Sequence, residues 1–168
     1  QILETSKESE ADVRLFIQPT HVYLLEVLKT LGMMEEYEKW RHRLIDLVES
    51  VNKKYPKSLK FPLWDFSGYN TVTMDEVPPA EELKRPMDWY YDVGHFKKSL
   101  GDLIQDRIFN YSDEERVVPK DFGIQINSKN IDLYQRAQRS KQMEYMLVHQ
   151  EEIKELAGRV NVIKKKIR

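Results

Sequence analysis

The order of the predicted elements over the first 66 residues most constrains the fold of this chain. Val13 to Ile17 is a short apolar, β-prone run that ends before Pro19, a pattern typical of a buried strand. Two helical stretches follow. Lys60 to Phe66 then predicts a second short strand, with Pro62 near its start and a Ser-Gly turn after it. Because two strands joined by so long a helical connection require a parallel crossover, the sequence predicts an α/β fold.

The two connecting helices each carry apolar residues at helical spacing. Thr20 is expected to cap the first helix, and Gly32 to end it, since glycine is common just after a helix. The second helix ends before Pro56. The apolar stripes are Leu24, Leu25, Leu28 and Leu31 in the first helix and Tyr37, Trp40, Leu44, Leu47, Val48 and Val51 in the second. This crossover places the loops after Ile17 and Phe66 at the carboxyl edge of the sheet, where ligands of such folds bind.

The rest of the chain predicts a long loop and mostly helical segments. Asn70 to Pro86 holds three prolines and no clear periodicity, so we expect a surface loop, a kind of segment that is commonly functional. A helix is predicted from near Gly94, and Phe122 to Ile124 is either a third strand or an arm. One long charged helix is predicted from Asn130 to Gly158, with a narrow stripe that suggests packing on a neighbour or on a partner chain. The apolar face of the helix near Gly94 consists of Phe96, Leu100, Leu103, Ile104 and Ile108.

Composition excludes several classes of protein. The 168 residues suit one domain, no apolar run approaches a membrane span, and Gln1 to Arg14 is polar, unlike a signal peptide. The absence of cysteine excludes disulfides, thiolate nucleophiles and cysteine-based zinc sites. The 27 Lys and Arg residues are balanced by 28 Asp and Glu residues, which argues against a dedicated nucleic-acid binder. We interpret the cationic run Lys164 to Arg168 as a frayed tail rather than as a membrane or nucleic-acid contact.

The sequence predicts no cofactor and no metal site. Its histidines, His21, His42, His95 and His149, do not follow a metal-binding spacing, and its six glycines are not clustered into a phosphate-binding loop. Ser67 follows the second predicted strand, but the glycine that precedes the serine of a nucleophile elbow is absent. We therefore expect Ser67 to belong to a turn.

The most informative motif is Trp89 to Gly101, WYYDVGHFKKSLG, which places Asp92 and His95 three residues apart. At that spacing a carboxylate can orient an imidazole that acts as the general base for a nucleophile. A structural alternative is that Asp92 caps the following helix while His95 faces solvent. The aromatic residues Trp89 to Tyr91 either line a substrate pocket or belong to the core.

Four tracts in this order resemble the SGNH (GDSL-like) hydrolase superfamily. They are Phe16 to Gly32, Leu63 to Asn70, Trp89 to Phe96 and Asp121 to Ile131. Together they are similar to the C-terminal half of an uncharacterised bacterial family akin to cell-envelope acyltransferase-like proteins. The resemblance implies a partial three-layer, flavodoxin-like parallel sheet in residues 1–126, followed by a helical extension in residues 127–168.

The resemblance also implies a function, that of a serine esterase or O-acyltransferase that acts on an acyl ester or envelope glycan. His95 would be its general base and Asp92 the orienter. The serine, glycine and asparagine blocks of the superfamily precede such a pair and are not found here, so we expect a C-terminal portion that is inactive in isolation. Its partners would be a missing N-terminal half or a second copy, and its location the cell envelope. The alternative is a noncatalytic interaction module with a charged docking helix.

Overall fold

The computed structural model describes residues 1–82 and 84–167, and within them the chain has the mixed α/β character that the sequence predicts. The α-helices are α1 (Ile2–Glu8), α2 (Val22–Thr30), α3 (Met34–Lys54), α4 (Lys98–Phe109), α5 (Ile131–Val148) and α6 (Gln150–Ile167). The strands are β1 (Leu15–Ile17), β2 (Leu63–Asp65), β3 (Tyr90–Asp92), β4 (His95–Phe96) and β5 (Ile124–Gln125). A short 3-10 helix spans Ala80–Glu82.

The main sheet confirms the predicted crossover but is not wholly parallel. β1 and β2 pair in parallel, with Leu15 opposite Leu63. β5 pairs antiparallel with β2, with Ile124 opposite Asp65, so that the strand order is β1-β2-β5. The chain enters β5 from the carboxyl edge of β2, which makes the sheet mixed. The three-layer parallel sheet implied by the resemblance is therefore not confirmed.

The two ends of α2 are fixed by local chemistry. The N-cap is His21 and not Thr20 as predicted, because the imidazole Nδ1 of His21 accepts the backbone N–H of Tyr23 at 3.1 Å. At the other end Gly32 has a φ of 76°, and the amides of Gly32 and Met33 donate back to carbonyls of the last turn. This is the Schellman arrangement, in which glycine avoids the steric cost of a left-handed conformation. The predicted end of the helix is confirmed.

The buried face of α3 differs from the predicted stripe. Val48 and Val51 are buried as predicted, but Trp40 and Leu47 are 43% and 54% exposed. The face that meets the sheet contains Arg41 and Ile45 instead. The buried face of α3 is rotated relative to the predicted stripe because the guanidinium of Arg41 pairs with a carboxylate at the end of β2. Apolar periodicity does not reveal this interaction.

The apolar core consists of three clusters. The first packs α4 against the loop after β2 and against β3, and it confirms the four helical positions of the predicted α4 face. Its members are Phe66, Val72, Met87, Tyr90, Leu100, Leu103, Ile104, Ile108 and Phe122. The second joins the sheet to α3 and α5 through Ile17, Ile45, Leu63, Ile126 and Ile131. The third joins α2 to the loop after β2 through Val22, Leu25 and Tyr69.

The predicted loop Asn70 to Pro86 begins inside the protein rather than on its surface. Asn70, Val72 and Thr73 are buried. The side-chain carbonyl of Asn70 accepts the backbone N–H groups of Val72 and Thr73, each at 3.0 Å, and so satisfies buried donors in place of regular structure. Leu83, in the later part of the loop, lies outside the described residues.

The C-terminal segment is two helices and not the single helix predicted. α5 ends at Val148 with His149 as its C-cap, and α6 packs against α2, where Leu156 and Val160 are buried. Part of the predicted stripe, including Leu156, therefore packs within the chain, whereas Met143 is 59% exposed. Because Ile131 of α5 belongs to the second core cluster, residues after 126 share a core with the sheet, and a domain boundary there stays a prediction. Arg168, the end of the cationic run, lies outside the described residues.

None of the helices in residues 1–82 and 84–167 is both long and apolar enough to cross a membrane.

Alanine substitutions at three glycines distinguish the stability cost of a positive φ from the cost of steric overlap by the added Cβ. Gly32 and Gly123 both have positive φ, but an added Cβ has open space at Gly32 and overlaps the Phe66 ring at Gly123, while Gly158 lies in α6 with open space around it. We expect Gly158→Ala to raise the free energy of unfolding by about 0.5–1 kcal/mol. We expect Gly32→Ala to lower it by about 1 kcal/mol and Gly123→Ala to lower it by about 2 kcal/mol or more. Urea unfolding measures all three, and equal losses at Gly32 and Gly123 would contradict the close approach to Phe66.

Candidate functional site

Asp92 and His95 lie in a β-hairpin and not at the mouth of a helix. β3 and β4 pair antiparallel with an irregular register that sets Asp92 opposite His95. α4 begins only at Lys98, so the predicted helix start near Gly94 is wrong. The carboxylate of Asp92 accepts the backbone N–H of Gly94 at 2.7 Å. Asp92 therefore caps the hairpin turn, and the alternative that it caps the helix is wrong as well.

The hairpin nevertheless brings the two predicted site residues into direct contact. The imidazole Nδ1 of His95 lies 2.9 Å from each carboxylate oxygen of Asp92. Both side chains are exposed, His95 by 79% and Asp92 by 60%. When Nδ1–H donates to the carboxylate, Nε2 carries the lone pair and faces solvent. This is the tautomer that a general base requires.

The surroundings of Asp92 favour its ionised form. The backbone N–H of Gly94, and after it the hydrogen bond with His95, lower the pKa of the Asp92 carboxyl below its ordinary value. Asp92 is therefore a carboxylate at neutral pH. A carboxylate is the form that accepts the Nδ1 proton and holds the ring in place.

The hairpin is anchored to the carboxyl end of β1. The hydroxyl of Tyr90 donates to the carbonyl of Pro19 at 3.2 Å, and the rings of Tyr90 and His21 pack edge to face with centroids 5.0 Å apart. On the preceding segment, the carboxylate of Asp75 accepts the backbone N–H of Trp89 at 2.7 Å. Tertiary contacts, rather than the two short strands alone, therefore position Asp92 and His95.

The aromatic residues before Asp92 divide between the core and the surface. Tyr90 belongs to the first core cluster and Trp89 packs against it, while Tyr91 is 73% exposed. Burial raises the pKa of the Tyr90 hydroxyl, which keeps it a proton donor to Pro19. The core interpretation holds for Trp89 and Tyr90, and Tyr91 is the aromatic side chain that this motif presents to solvent.

His21 is a structural residue of the α2 cap. Its ring is fully buried, Nε2 lies 2.8 Å from the carbonyl of Asp75, and Nδ1 accepts the N–H of Tyr23. Burial lowers the pKa of His21, which favours the neutral ring with one donating and one accepting nitrogen. Both nitrogens are thus in use.

Ser67 is buried and fully engaged at the end of β2, as the turn interpretation predicts. Its hydroxyl donates to the carboxylate of Asp65 at 2.6 Å and accepts from Nη2 of Arg41 at 2.8 Å and from the hydroxyl of Tyr37 at 3.0 Å. Nε of Arg41 lies 2.9 Å from Oδ2 of Asp65, and the two side chains are 4% and 0% exposed. No substrate reaches a hydroxyl so enclosed, so Ser67 is not a nucleophile.

Burial and charge act together on this carboxyl-edge cluster, which comprises Tyr37, Arg41, Asp65, Ser67 and Tyr134. Desolvation is the largest influence on Arg41 and would lower its pKa, but attraction to Asp65, joined by smaller contributions from Tyr37, Tyr134 and Glu38, makes the net direction upward. Burial also raises the pKa of Tyr134, whose hydroxyl donates to the carbonyl of Ser67 at 3.2 Å. The cluster is an ion pair enclosed by neutral phenols. Sequence analysis did not predict this cluster. The pattern that could have indicated it is the position of Arg41, four residues after Tyr37 and four before Ile45 on one helical face.

His95 has no nucleophile beside it within the described residues, where its ring bonds only to Asp92. In the same part of the chain, no group of three or more His, Asp or Glu side chains is placed to hold a metal ion.

None of the protein-family models, curated proteins or solved structures compared with this chain matches it. The resemblance to SGNH hydrolases therefore stays a prediction from the sequence, and the geometry of Asp92 and His95 is the observation on which function is argued.

The lowered pKa of Asp92 gives a test of the hairpin turn. Because the folded pKa lies below the ordinary value, the turn is stabilised at pH values above the ordinary pKa, and this stabilisation is lost as the pH falls through the folded pKa. We expect a carboxyl ¹³C NMR titration to give Asp92 a pKa below that of an unfolded-peptide reference. Since the N–H of Gly94 is the larger cause, Gly94→Pro should raise this pKa more than His95→Ala does. A larger effect of His95→Ala would contradict this ranking.

The buried ion pair gives a stability test. Removing one partner leaves an uncompensated buried charge, so Arg41→Met and Asp65→Asn should each lower the free energy of unfolding by about 3–5 kcal/mol. The double variant should lose less than the sum of the two, because neither charge is then left alone. Chemical denaturation of the three variants measures the coupling. Additive losses would show that Arg41 and Asp65 do not act as a pair.

Proposed function

We propose that Asp92 and His95 are the orienter and general base of an SGNH-type serine esterase or O-acyltransferase that acts on an envelope-associated acyl ester. The nucleophilic serine would come from outside the residues described here. The observation that carries the proposal is the 2.9 Å contact of Nδ1 with the Asp92 carboxylate, combined with an Nε2 open to solvent.

The chemistry of such a pair is defined by the two ring nitrogens. As a serine hydroxyl attacks the acyl carbonyl, Nε2 of His95 takes its proton, and the Asp92 carboxylate stabilises the imidazolium that forms. The proton then passes to the leaving alcohol, and an acyl-serine remains. If water attacks the acyl-serine, the enzyme acts as an esterase. If an acceptor alcohol attacks it, the enzyme acts as a transferase.

The position of the hairpin supports delivery of a serine from an added strand. β1 is an edge strand of the described sheet, and the Phe16 side chain on it is 46% exposed. An edge strand presents unpaired N–H and C=O groups to which another strand can be added. A parallel strand added beside β1 would end at the same edge as Pro19, which holds Tyr90 of the hairpin. A second copy or an upstream segment would in this way extend the parallel part of the sheet beyond β1.

A second candidate is a noncatalytic interaction module. The observation that favours it is the set of exposed apolar side chains where α5 ends, which are Met143, Leu147 and Val148. They adjoin a C-terminal helix that is rich in charge. In this case Asp92 and His95 would only stabilise the hairpin turn.

Hydrolysis of a short-chain p-nitrophenyl ester by the full-length protein distinguishes the two candidates. We expect His95→Ala to lower kcat by about 10²–10⁴-fold, the range for loss of a general base. Asp92→Asn should also lower kcat, because the ring loses its orienting acceptor. His149 offers a matched control, since its Nδ1 lies 3.3 Å from the carboxylate of Glu152 at the same spacing along the chain. His149→Ala should leave kcat unchanged, and equal rates for His95→Ala and the unchanged protein would end the catalytic proposal.

A further inference from the structure

A groove of about 830 Å³ lies at the amino edge of β1 and β2, at the opposite end of these strands from the hairpin. Its floor is apolar and comes from α3, from the residues around the start of β2 and from the end of β5, with Ile45, Val48, Phe61 and Ile126 among its members. Leu59, which is 65% exposed, adds an apolar wall. The volume is that of a site for a small organic molecule.

The lining of the groove carries a net positive charge, with four cationic side chains against two carboxylates. Lys53, Lys60 and Lys129 line it, all three are exposed, and none has a carboxylate within ion-pair distance in the part of the chain that the structure describes. Arg14 binds Asp12 through two hydrogen bonds of 2.8 and 2.6 Å.

Glu49 and Lys53 form no ion pair in the part of the chain that the structure describes, although their spacing would allow one. The two residues lie four apart on α3, a spacing at which opposite charges commonly pair. The carboxylate of Glu49 instead accepts the backbone N–H of Ser128 at 2.7 Å and so ties α3 to the segment before α5. The ammonium of Lys53 is left facing the groove without its nearest acid.

We propose that this groove binds a small amphipathic anion, with a carboxylate or phosphate head held by Lys53, Lys60 and Lys129 and an alkyl or aryl body against Leu59 and the apolar floor. Lysine ammonium groups are compact cations with three donors each, and they suit either head group. An apolar wall beside unpaired cations is complementary to a ligand that carries both properties, whereas a purely hydrophilic anion would leave the wall uncovered.

The backbone around the groove favours a small molecule over a peptide. The N–H of Phe61 donates to the side chain of Asn52 at 2.8 Å, and the N–H of Ile126 donates to the carbonyl of Leu63 at 2.9 Å. An extended peptide gains affinity from backbone hydrogen bonds to a free edge. These donors are not free, so charge and apolar contact remain as the means of binding.

This inference does not depend on the proposed catalytic pair. Asp92 and His95 are not among the residues that line the groove. The groove adjoins the start of β1 through Arg14, whereas the hairpin is anchored to Pro19 beyond its end. The binding test therefore has an outcome separate from that of the ester hydrolysis.

Calorimetric titration with three amphiphiles that share a ten-carbon chain tests the groove. Decanoate and decyl phosphate, each below its micellar concentration, should bind the full chain saturably, and decyltrimethylammonium should not. Lys53→Glu/Lys60→Glu/Lys129→Glu should weaken decanoate binding by about tenfold or more, since three favourable charge contacts are reversed. The matched control Lys120→Glu/Lys165→Glu/Lys166→Glu has the same net charge and should bind as the unchanged protein does.

Four outcomes would overturn the proposal. They are the absence of saturable binding by either anion, equal binding of the cationic amphiphile, an equal loss of affinity in both triple variants, and tighter binding of a glutamate-rich peptide than of decanoate. Circular dichroism of each variant shows whether it is folded. The single variant Leu59→Asn tests the apolar wall without touching charge, and it should weaken binding of decanoate several-fold.

Discussion

The buried ion pair between Arg41 and Asp65 organises the rest of this structure. It joins α3 to the end of β2, and the Ser67 hydroxyl bonds to both charged partners while Tyr37 donates to that hydroxyl. Tyr134 of α5 closes the cluster from the other side. Because buried charges are costly unless they are paired and hydrogen-bonded, these elements are held in one arrangement. The carboxyl edge between β1 and β2, where such folds often bind ligands, is thus filled by the protein's own side chains.

The Arg41–Asp65 and Asp92–His95 pairs have opposite surroundings, and their roles differ for that reason. Asp65 and Arg41 are buried and their hydroxyl neighbours leave no room for a ligand, so the pair serves stability. Asp92 and His95 are exposed, and the carboxylate holds one imidazole nitrogen while the other faces solvent. A substrate cannot contact the buried pair of Arg41 and Asp65, whereas the exposed pair of Asp92 and His95 is accessible from solvent. The open groove at the amino edge is a third environment, with cations but few free acids.

Sequence patterns predicted the features that depend on neighbouring residues. The runs at β1 and β2, the glycine after α2 and the apolar face of α4 are local, and the structure confirms them. The hairpin was missed because β3 and β4 are very short and depend on the distant contact of Tyr90 with Pro19. The contact of Asp92 with His95 was nevertheless predicted, since three-residue spacing brings side chains together in a tight hairpin as well as in a helix. The break at His149 has no glycine or proline to mark it, and the pairing of Arg41 with Asp65 requires the tertiary fold.

The parallel pairing of β1 with β2 also shapes how the chain reaches its native state. Leu15 meets Leu63, and Asp65 meets Ile124, so every ladder of the main sheet joins segments that are remote along the chain. Closing such long loops costs entropy before any strand contact repays it, which slows folding in proteins of high contact order. α3 can gain helical structure from its own sequence first. We therefore expect the sheet, and the burial of Asp65 against Arg41, to form late in folding.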